Sequence, residues 1–211
     1  MSFMVAIDGP AGSGKSTISK LIAEELNFSH IDTGSMFRAI ALYKLRNNLD
    51  NYDFLNDIDI IYKEGIIYLN GEDVSKEVRM PSVTKIVPEV AKVHEVREKV
   101  LEVERLSASV GNCILDGRDI GVKVLPNADL KIFLTADAKK RALRRYKDNL
   151  ERGIKSDLNE LEEEIKKRDY EDEHRLESPL KMADDAILLD TSDMSIEEVK
   201  NEIIRLIKER F

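Results

Sequence analysis

Between an apolar stretch, Phe3-Met4-Val5-Ala6-Ile7, and a run carrying Ile18, Leu21, Ile22 and Leu26 at helical spacing stands Gly9-Pro10-Ala11-Gly12-Ser13-Gly14-Lys15-Ser16-Thr17. The apolar stretch reads as a buried strand and the periodic run as a helix, so the glycines occupy a strand-to-helix turn. Such a turn lets consecutive N–H groups point inward, and the helix N-terminus adds the positive end of its dipole. Four residues between Gly9 and Gly14, then Lys15 and Ser16, complete the Walker A spacing. Gly9 through Thr17 are therefore expected to cradle a nucleoside triphosphate, with Lys15 reaching the β/γ-phosphates and Ser16 ligating Mg²⁺.

The pattern beyond this turn alternates strand and helix. Residues 28–31 read as a second strand ending in Asp32-Thr33-Gly34, followed by a helix to about Leu45. Residues 111–116, 130–135 and 186–190 are further apolar runs of strand length, with helices expected over about 137–150 and 157–174. Ser195-Ile196-Glu197-Glu198 is a capping-box signal for a closing amphipathic helix. Strands joined through helices imply an α/β fold, a five-stranded parallel sheet covered on both faces. The segment from about 60 to 100 breaks the rhythm: Ile66-Ile67-Tyr68-Leu69 with Asn70-Gly71 predicts a hairpin. Pro81 and Pro88 punctuate the stretch after it, before a helix expected from about Glu89 to Leu106. The expected organisation is one domain, with a core of about 1–45 and 101–211, a small α+β insert of about 46–100 and a helical lid of about 148–176 starting near Asn149-Leu150-Glu151-Arg152-Gly153.

The 211 residues suit one sizeable domain, and no apolar run reaches the eighteen or so needed to span a bilayer. The first residues lack the charged n-region and long apolar segment of a signal peptide, so the expected location is the cytoplasm. The only cysteine, Cys113, lies in an apolar run and reads as a buried strand thiol. The net charge of −8 argues against a broad nucleic-acid-binding surface, and no membrane partner is expected. A negative protein that binds anions must gather positive charge locally, so arginine clusters mark its sites.

Those clusters are visible. Asp32-Thr33-Gly34-Ser35-Met36-Phe37-Arg38 and Asp116-Gly117-Arg118-Asp119-Ile120-Gly121 each follow a strand end, the rim where open α/β sheets bind ligands. On a helix, Arg141, Arg144 and Arg145 share a face, and Arg141 and Arg145 are assigned to the triphosphate, with a solvated charged face as the alternative. Arg168, Asp172 and Arg175 fall at i, i+4 and i+7, again one helical face, among the acidic Glu171, Glu173 and Glu177.

Taken together these motifs resemble the bacterial cytidylate kinases, of the nucleoside monophosphate kinase group within the P-loop fold. The resemblance runs nearly end to end: Ile7-Asp8-Gly9-Pro10, the Asp32–Arg38 and Asp116–Gly121 motifs, Arg168-Asp169 with Asp172, Arg175 and Ser178-Pro179-Leu180, and Asp184-Asp185-Ala186. It implies ATP as donor with Mg²⁺, and an acceptor site for CMP or dCMP between insert and core. It further implies that Arg38, Arg118, Arg168 and Arg175 hold the acceptor phosphate, with Thr33 beside them, that Asp172 meets the sugar hydroxyls and that Arg97 and Asp119 read the base. It implies a monomer acting on free nucleotides. Lys15, Arg118, Arg168 and Arg175 would carry the catalysis. Pro88 departs from the family's pattern, standing where a Ser helps bind cytosine: either Arg97 and Asp119 suffice, a nearby Ser or Thr such as Thr84 substitutes, or base selectivity is looser. Other readings of the same motifs are a P-loop kinase for another small acceptor, such as UMP, AMP or shikimate, and a nucleotide-binding switch. The acceptor-site arginines speak against a switch. A monophosphate is already largely ionised at pH 7, so no general base is required, and His30, His94 and His174 are expected to be structural or exposed.

Overall fold

The computed structural model describes residues 2–151 and 153–211, so Arg152 of the expected lid start lies outside the described residues. From the N-terminus the elements run β1 (Met4–Asp8), α1 (Lys15–Leu26), β2 (Ser29–Asp32), α2 (Thr33–Arg46), β3 (Ile60–Lys63), β4 (Ile66–Leu69), β5 (Glu72–Asp73), α3 (Pro81–Val90), α4 (His94–Ala108), β6 (Cys113–Gly117), β7 (Leu130–Thr135), α5 (Ala138–Glu151), α6 (Leu158–His174), β8 (Ile187–Asp190) and α7 (Ile196–Lys208). β1, β2, β6, β7 and β8 form one parallel sheet in the order β2-β6-β1-β7-β8. This is the expected α/β architecture.

Alternation along the strands divides the core in two. Val5 and Ile7 of β1 and Ile114 of β6 pack with Ile18 and Ile22 of α1 and Ile203 and Ile207 of α7. Ala6 and Leu115 point the other way, into a cluster with Met36 and Ile40 of α2 and Val96 and Val100 of α4. Each fully buried aliphatic side chain of this kind contributes about 1.5–3 kcal/mol relative to exposure. The capping box forms as the sequence predicts: Ser195 N donates to Glu198 Oε2 at 2.8 Å, and Glu198 N donates to Ser195 Oγ at 3.2 Å. It fixes the start of α7 under the sheet. Register pairs Asp8 with Gly117 and Asp32 with Asp116, so the C-terminal ends of β1, β2 and β6 finish level with one another. The loops leaving those ends converge at the rim where such sheets bind ligands.

The insert differs from expectation in two places. β3 pairs with β4 through a turn at Glu64 and Gly65, both at positive φ, and β5 adds a third, very short strand. The expected hairpin turn at Asn70 and Gly71 is present, with φ of 51° and 81°, but β3 was not foreseen. Second, the single helix expected from Glu89 to Leu106 is two helices. Pro81 occupies the first turn of α3, where a missing N–H costs nothing, and Pro88 lies inside it rather than ending it. The chain turns through Ala91–Val93, where Lys92 N donates to Glu89 O and Val93 N to Val90 O, before α4 begins at His94. α4 then crosses residue 100 without a break. α5 and α6 pair as a helical hairpin sealed by Ala142, Leu161 and Ile165, and Asp157 caps α6 by accepting from Asn159 and Glu160 N–H groups.

Candidate active site

A cleft of about 600 Å³ opens along the level strand ends, bounded by the Gly-rich turn, α2, α3, the loop after β6 and the α5–α6 hairpin. Ala11 to Thr17 line one end of it, while Gly9 and Pro10 lie beneath as its foundation. A Cβ on Gly9 would stand 2.0 Å from the Leu134 carbonyl oxygen, so the turn can press against β7 only with glycine there. Gly12 and Gly14, at φ of 72° and 93°, bend the chain through the left-handed region. Lys15 curls back over the turn: its ammonium donates to Pro10 O at 2.8 Å and Ser13 Oγ at 3.3 Å. Burial, with Arg118 adding to it, pushes the Lys15 ammonium well below its ordinary pKa, a strain that a polyphosphate in the turn would relieve.

Ser16 and Asp116 come together at the centre of the cleft, Ser16 Oγ donating to Asp116 Oδ2 at 2.6 Å. His30 Nε2 lies 2.6 Å from the other carboxylate oxygen. A hydroxyl beside a buried carboxylate at the foot of a phosphate cradle is an oxygen donor set that fits Mg²⁺, which takes few protein ligands and completes its shell with phosphates and water. His30, expected to be structural or exposed, supports Asp116 and is not among the residues lining the cleft.

Positive charge gathers at the other end. Thr33, Arg38, Arg118, Arg168, Asp172 and Arg175 all line the cleft. Arg175 reaches it as the extended residue that caps α6, not on the helical face expected for it. Arg38 Nε, Arg168 Nε and Arg175 Nη2 are buried donors without a hydrogen-bond partner. Burial, and then the Arg118 charge, lowers Arg168 to about 10, while burial and Arg97 lower Arg175. Crowded guanidinium groups with unmet donors call for a multivalent anion. Asp172 sits among them, accepting from Arg118 Nε at 2.8 Å with Arg175 Nη1 at 3.5 Å. Burial works to raise its pKa, but the Arg118 guanidinium beside it wins and holds the carboxyl below its ordinary range. The Thr33 hydroxyl donates to Asp116 O at 2.9 Å.

Farther along, Arg97 and Asp119 form a buried pair, Nη2 to Oδ2 at 2.6 Å, with Arg97 Nη1 also donating to Ala91 O at 3.1 Å. The Phe37 ring lies 5.4 Å beneath the Arg97 guanidinium, and Val87, Pro88 and Ala91 complete an apolar slot. Thr84 is not among the residues lining it.

The α5 arginines divide in their roles. Arg145 lines the cleft, half exposed, with Glu164 3.7 Å away. Arg141 also lines it, but its guanidinium is committed to protein: Ala136 O at 2.7 Å, Ala11 O at 2.8 Å and Asp169 at 2.6 Å. Arg144 donates to Thr191 O at 2.5 Å and Ser13 O at 3.4 Å. Arg141 and Arg144 thus brace the Gly-rich turn against α6 and against the chain after β8.

Two buried acids were given no role by the sequence. Asp8 accepts from the Ile120 and Gly121 N–H groups at 2.8 Å each, joining the start of the cradle to the loop that carries Arg118 and Asp119. Its position directly before Gly9 was the available signal. Glu104 lies buried on α4; burial, with Asp119 adding to it, drives its carboxyl well above its ordinary pKa. An acid two helical turns from Arg97, on a buried α4 face otherwise formed by Val96, Val100 and Val103, was its signal.

The family model described as cytidylate kinase matches residues 5–209. The cytidylate kinase of Caldicellulosiruptor bescii is 46% identical, over 96% of this chain and 94% of its own. That of Acholeplasma laidlawii is 47% identical, over 98% and 95%. That of Lactobacillus johnsonii is 47% identical, over 98% and 94%. A crystal structure of an uncharacterized protein from Eubacterium ventriosum superposes with a TM-score of 0.56 at 16% identity, covering 100% of both chains, which shows the shared fold. With a family model spanning nearly its whole length, the chain belongs to the cytidylate kinase family.

Proposed function

We propose that the cleft works by direct in-line transfer of the γ-phosphoryl group from ATP to CMP or dCMP, giving ADP and CDP or dCDP. The donor and acceptor, ATP and CMP, come with the family. The residue roles, Mg²⁺ and use of dCMP are this reading's own. The observation that carries it is the convergence of unmet buried donors of Arg38, Arg168 and Arg175 on the acceptor end. One tetrahedral dianion has oxygens enough to satisfy them, and the Arg97–Asp119 pair lies beyond it, where a base attached to that phosphate would extend. Cytosine presents O2 and N3 acceptors to an arginine and a 4-amino donor to a carboxylate; uracil's 4-oxo group would oppose the carboxylate.

The acceptor phosphate is its own nucleophile, because its second pKa is about 6 and it is mostly dianionic at pH 7. The obstacle is bringing two polyanions together, so the protein's contribution is position and charge. Lys15 and the turn's N–H groups align the β- and γ-phosphates. Arg118, between Lys15 and Asp172, is placed to bridge donor and acceptor. Bound Mg²⁺, held through Ser16 with Asp116 behind it, would neutralise charge on the β- and γ-phosphates. The α5–α6 hairpin, taken as a lid of about residues 148–176, shields the γ-phosphoryl from water; Arg145 adds charge on the donor side, and Arg141 supports the turn from behind. Asp172 keeps lone pairs available for the sugar hydroxyls. The reading includes a core of about 1–45 and 101–211 with an acceptor-binding insert of about 46–100. It also includes a cytoplasmic monomer handling free nucleotides, supported by the net charge of −8, which repels nucleic acid.

A coupled assay with ATP and, in turn, CMP, dCMP, UMP and AMP tests it. Turnover is expected with CMP and dCMP and to be much slower with UMP and AMP. Equal turnover of UMP and CMP would refute the role given to Arg97 and Asp119.

A further inference from the structure

We propose that Arg79, on the insert, is a positioning residue: by pairing with Asp32 it keeps Asp32 from capturing Arg38, and so leaves the Arg38 guanidinium available to the acceptor phosphate. This rests on the acceptor-site reading above.

Arg79 lies in a short 3-10 helix, Glu77–Arg79, between the β3–β4–β5 sheet and α3. Its Nη2 donates to Asp32 Oδ2 at 3.0 Å, and Ser35 Oγ donates to the same oxygen at 2.9 Å. The Arg79 side chain is 63% exposed but its partner is only 8% exposed, which separates this pair from an ordinary surface ion pair. A buried carboxylate takes the nearest cation it can reach. Arg38 is within reach: a Cβ on Gly34 would stand 3.1 Å from Asp32 Oδ1 and 2.8 Å from Arg38 Nη1, so the two groups flank the same glycine. Yet among the described residues Arg38 forms no ion pair within 4.0 Å, and its Nε is a buried donor without a partner. Arg79 supplies the hydrogen-bonded charge on Asp32, while the Arg38 charge acts on the same carboxylate across a gap, without an ion-pair contact.

The insert is built to keep Arg79 in place. Arg46 of α2 donates to Glu72 at 2.7 Å and to Glu77 at 2.6 Å, drawing the short helix against α2 two residues before Arg79. Acceptor affinity therefore tracks how the insert is seated. When Arg79 is on Asp32, Arg38 is free for phosphate; when it is absent, Asp32 and Arg38 close on each other.

The test uses the full-length enzyme. Arg79→Met is expected to raise KM for CMP about tenfold, the size of one charge-assisted contact, with kcat and KM for ATP within about twofold of wild type. Arg79→Lys keeps the charge and recovers most of the loss. Adding Asp32→Asn to Arg79→Met removes the competing carboxylate and returns KM for CMP toward wild type, a rescue that a merely structural Arg79 would not permit. Nitrogen-15 NMR of the Arg38 side chain in the nucleotide-free Arg79→Met enzyme supplies a readout that does not depend on the double variant's folding: its guanidinium rotation slows as Asp32 captures it. Unchanged KM for CMP in Arg79→Met, no rescue in a double variant that melts like wild type, or unaltered Arg38 rotation overturns the proposal. Arg38→Met separates it from the reading beneath it. If Arg38→Met raises KM for CMP while Arg79→Met does not, only the proposal fails; if Arg38→Met has no effect, the acceptor-site reading fails as well.

Discussion

The donor end of the cleft is made of backbone from consecutive residues, whereas the acceptor end is made of side chains drawn from α2, α4, the loop after β6 and α6. The cradle is internally satisfied: the Lys15 ammonium rests on Pro10 O, and the turn's carbonyls are met by Arg141 and Arg144. The acceptor end is the reverse, with buried guanidinium donors left open. One end has its carbonyls braced by protein before any ligand arrives, and the other is completed by ligand. That contrast predicts that damage to the cradle abolishes chemistry or folding, while damage to the acceptor end is graded and specific to one substrate.

The largest effect is expected for Lys15→Ala, a loss of about 10³-fold in kcat, since one well-aimed donor at a developing charge is worth 10²–10³ and Lys15 is also the cradle's only cation. Single-turnover kinetics would check it; near-normal activity would break the distinction between the two ends. Gly9→Ala attacks the same end through sterics. Its Cβ would meet the Leu134 carbonyl at 2.0 Å, so β1 and β7 must part. We expect a loss of about 3 kcal/mol and roughly 10 °C in Tm by calorimetry.

Arg168→Met tests the acceptor end. Loss of a buried charged donor is expected to cost about 10²-fold in kcat/KM for CMP, on the order of 2.7 kcal/mol, with KM for ATP little changed. Parallel loss for both substrates would erase the contrast.

The two ends also differed in how far they could be read from sequence. The cradle was legible because it is local: its spacing, strand and helix all fall within Phe3–Leu26. Outside the turn the residue types were legible but their partners were not. Arg141 reads as a nucleotide ligand because it shares a face with Arg145, yet its donors meet Ala136, Ala11 and Asp169, a long-range arrangement no helical wheel reveals. His30 reads as incidental because its partner, Asp116, is brought beside it only by the β2–β6 pairing. In the insert, Pro81 and Pro88 read as punctuation although one starts α3 and the other is tolerated within it, and four residues of β3 carry too little pattern to register alone.

Asp8 ties the ends together, and pH reads that tie. Burial raises its carboxyl from 3.8 to about 6 against the opposing pull of the Gly121 and Ile120 N–H groups. Because the folded value lies above the unfolded one, the stabilisation is complete below about pH 4 and is lost as pH rises to about 6, on the order of 3 kcal/mol for a shift of this size. The stability difference between wild type and Asp8→Asn, from urea melts at pH 4, 5, 6 and 7, should therefore slope across that window and be flat above it. A flat difference throughout would mean that Asp8 is not held as a strained buried acid.

The smallest effect is expected where the acceptor end is least polar. Pro88 lines the slot beside Arg97 with no side-chain donor, and its ring removes the N–H that would otherwise bond to Thr84 O within α3. Pro88→Ser supplies a hydroxyl to the base and restores that helix donor, so both changes act in the same direction. If the Arg97–Asp119 pair meets the polar edge of cytosine as proposed, the serine has one neutral hydrogen bond to add, about 1 kcal/mol. KM for CMP should fall by no more than about fivefold, with KM for ATP unchanged and the CMP-to-UMP preference modestly increased. A much larger gain would show that Arg97 and Asp119 are spent on each other and that base recognition in this chain is incomplete without a third polar group.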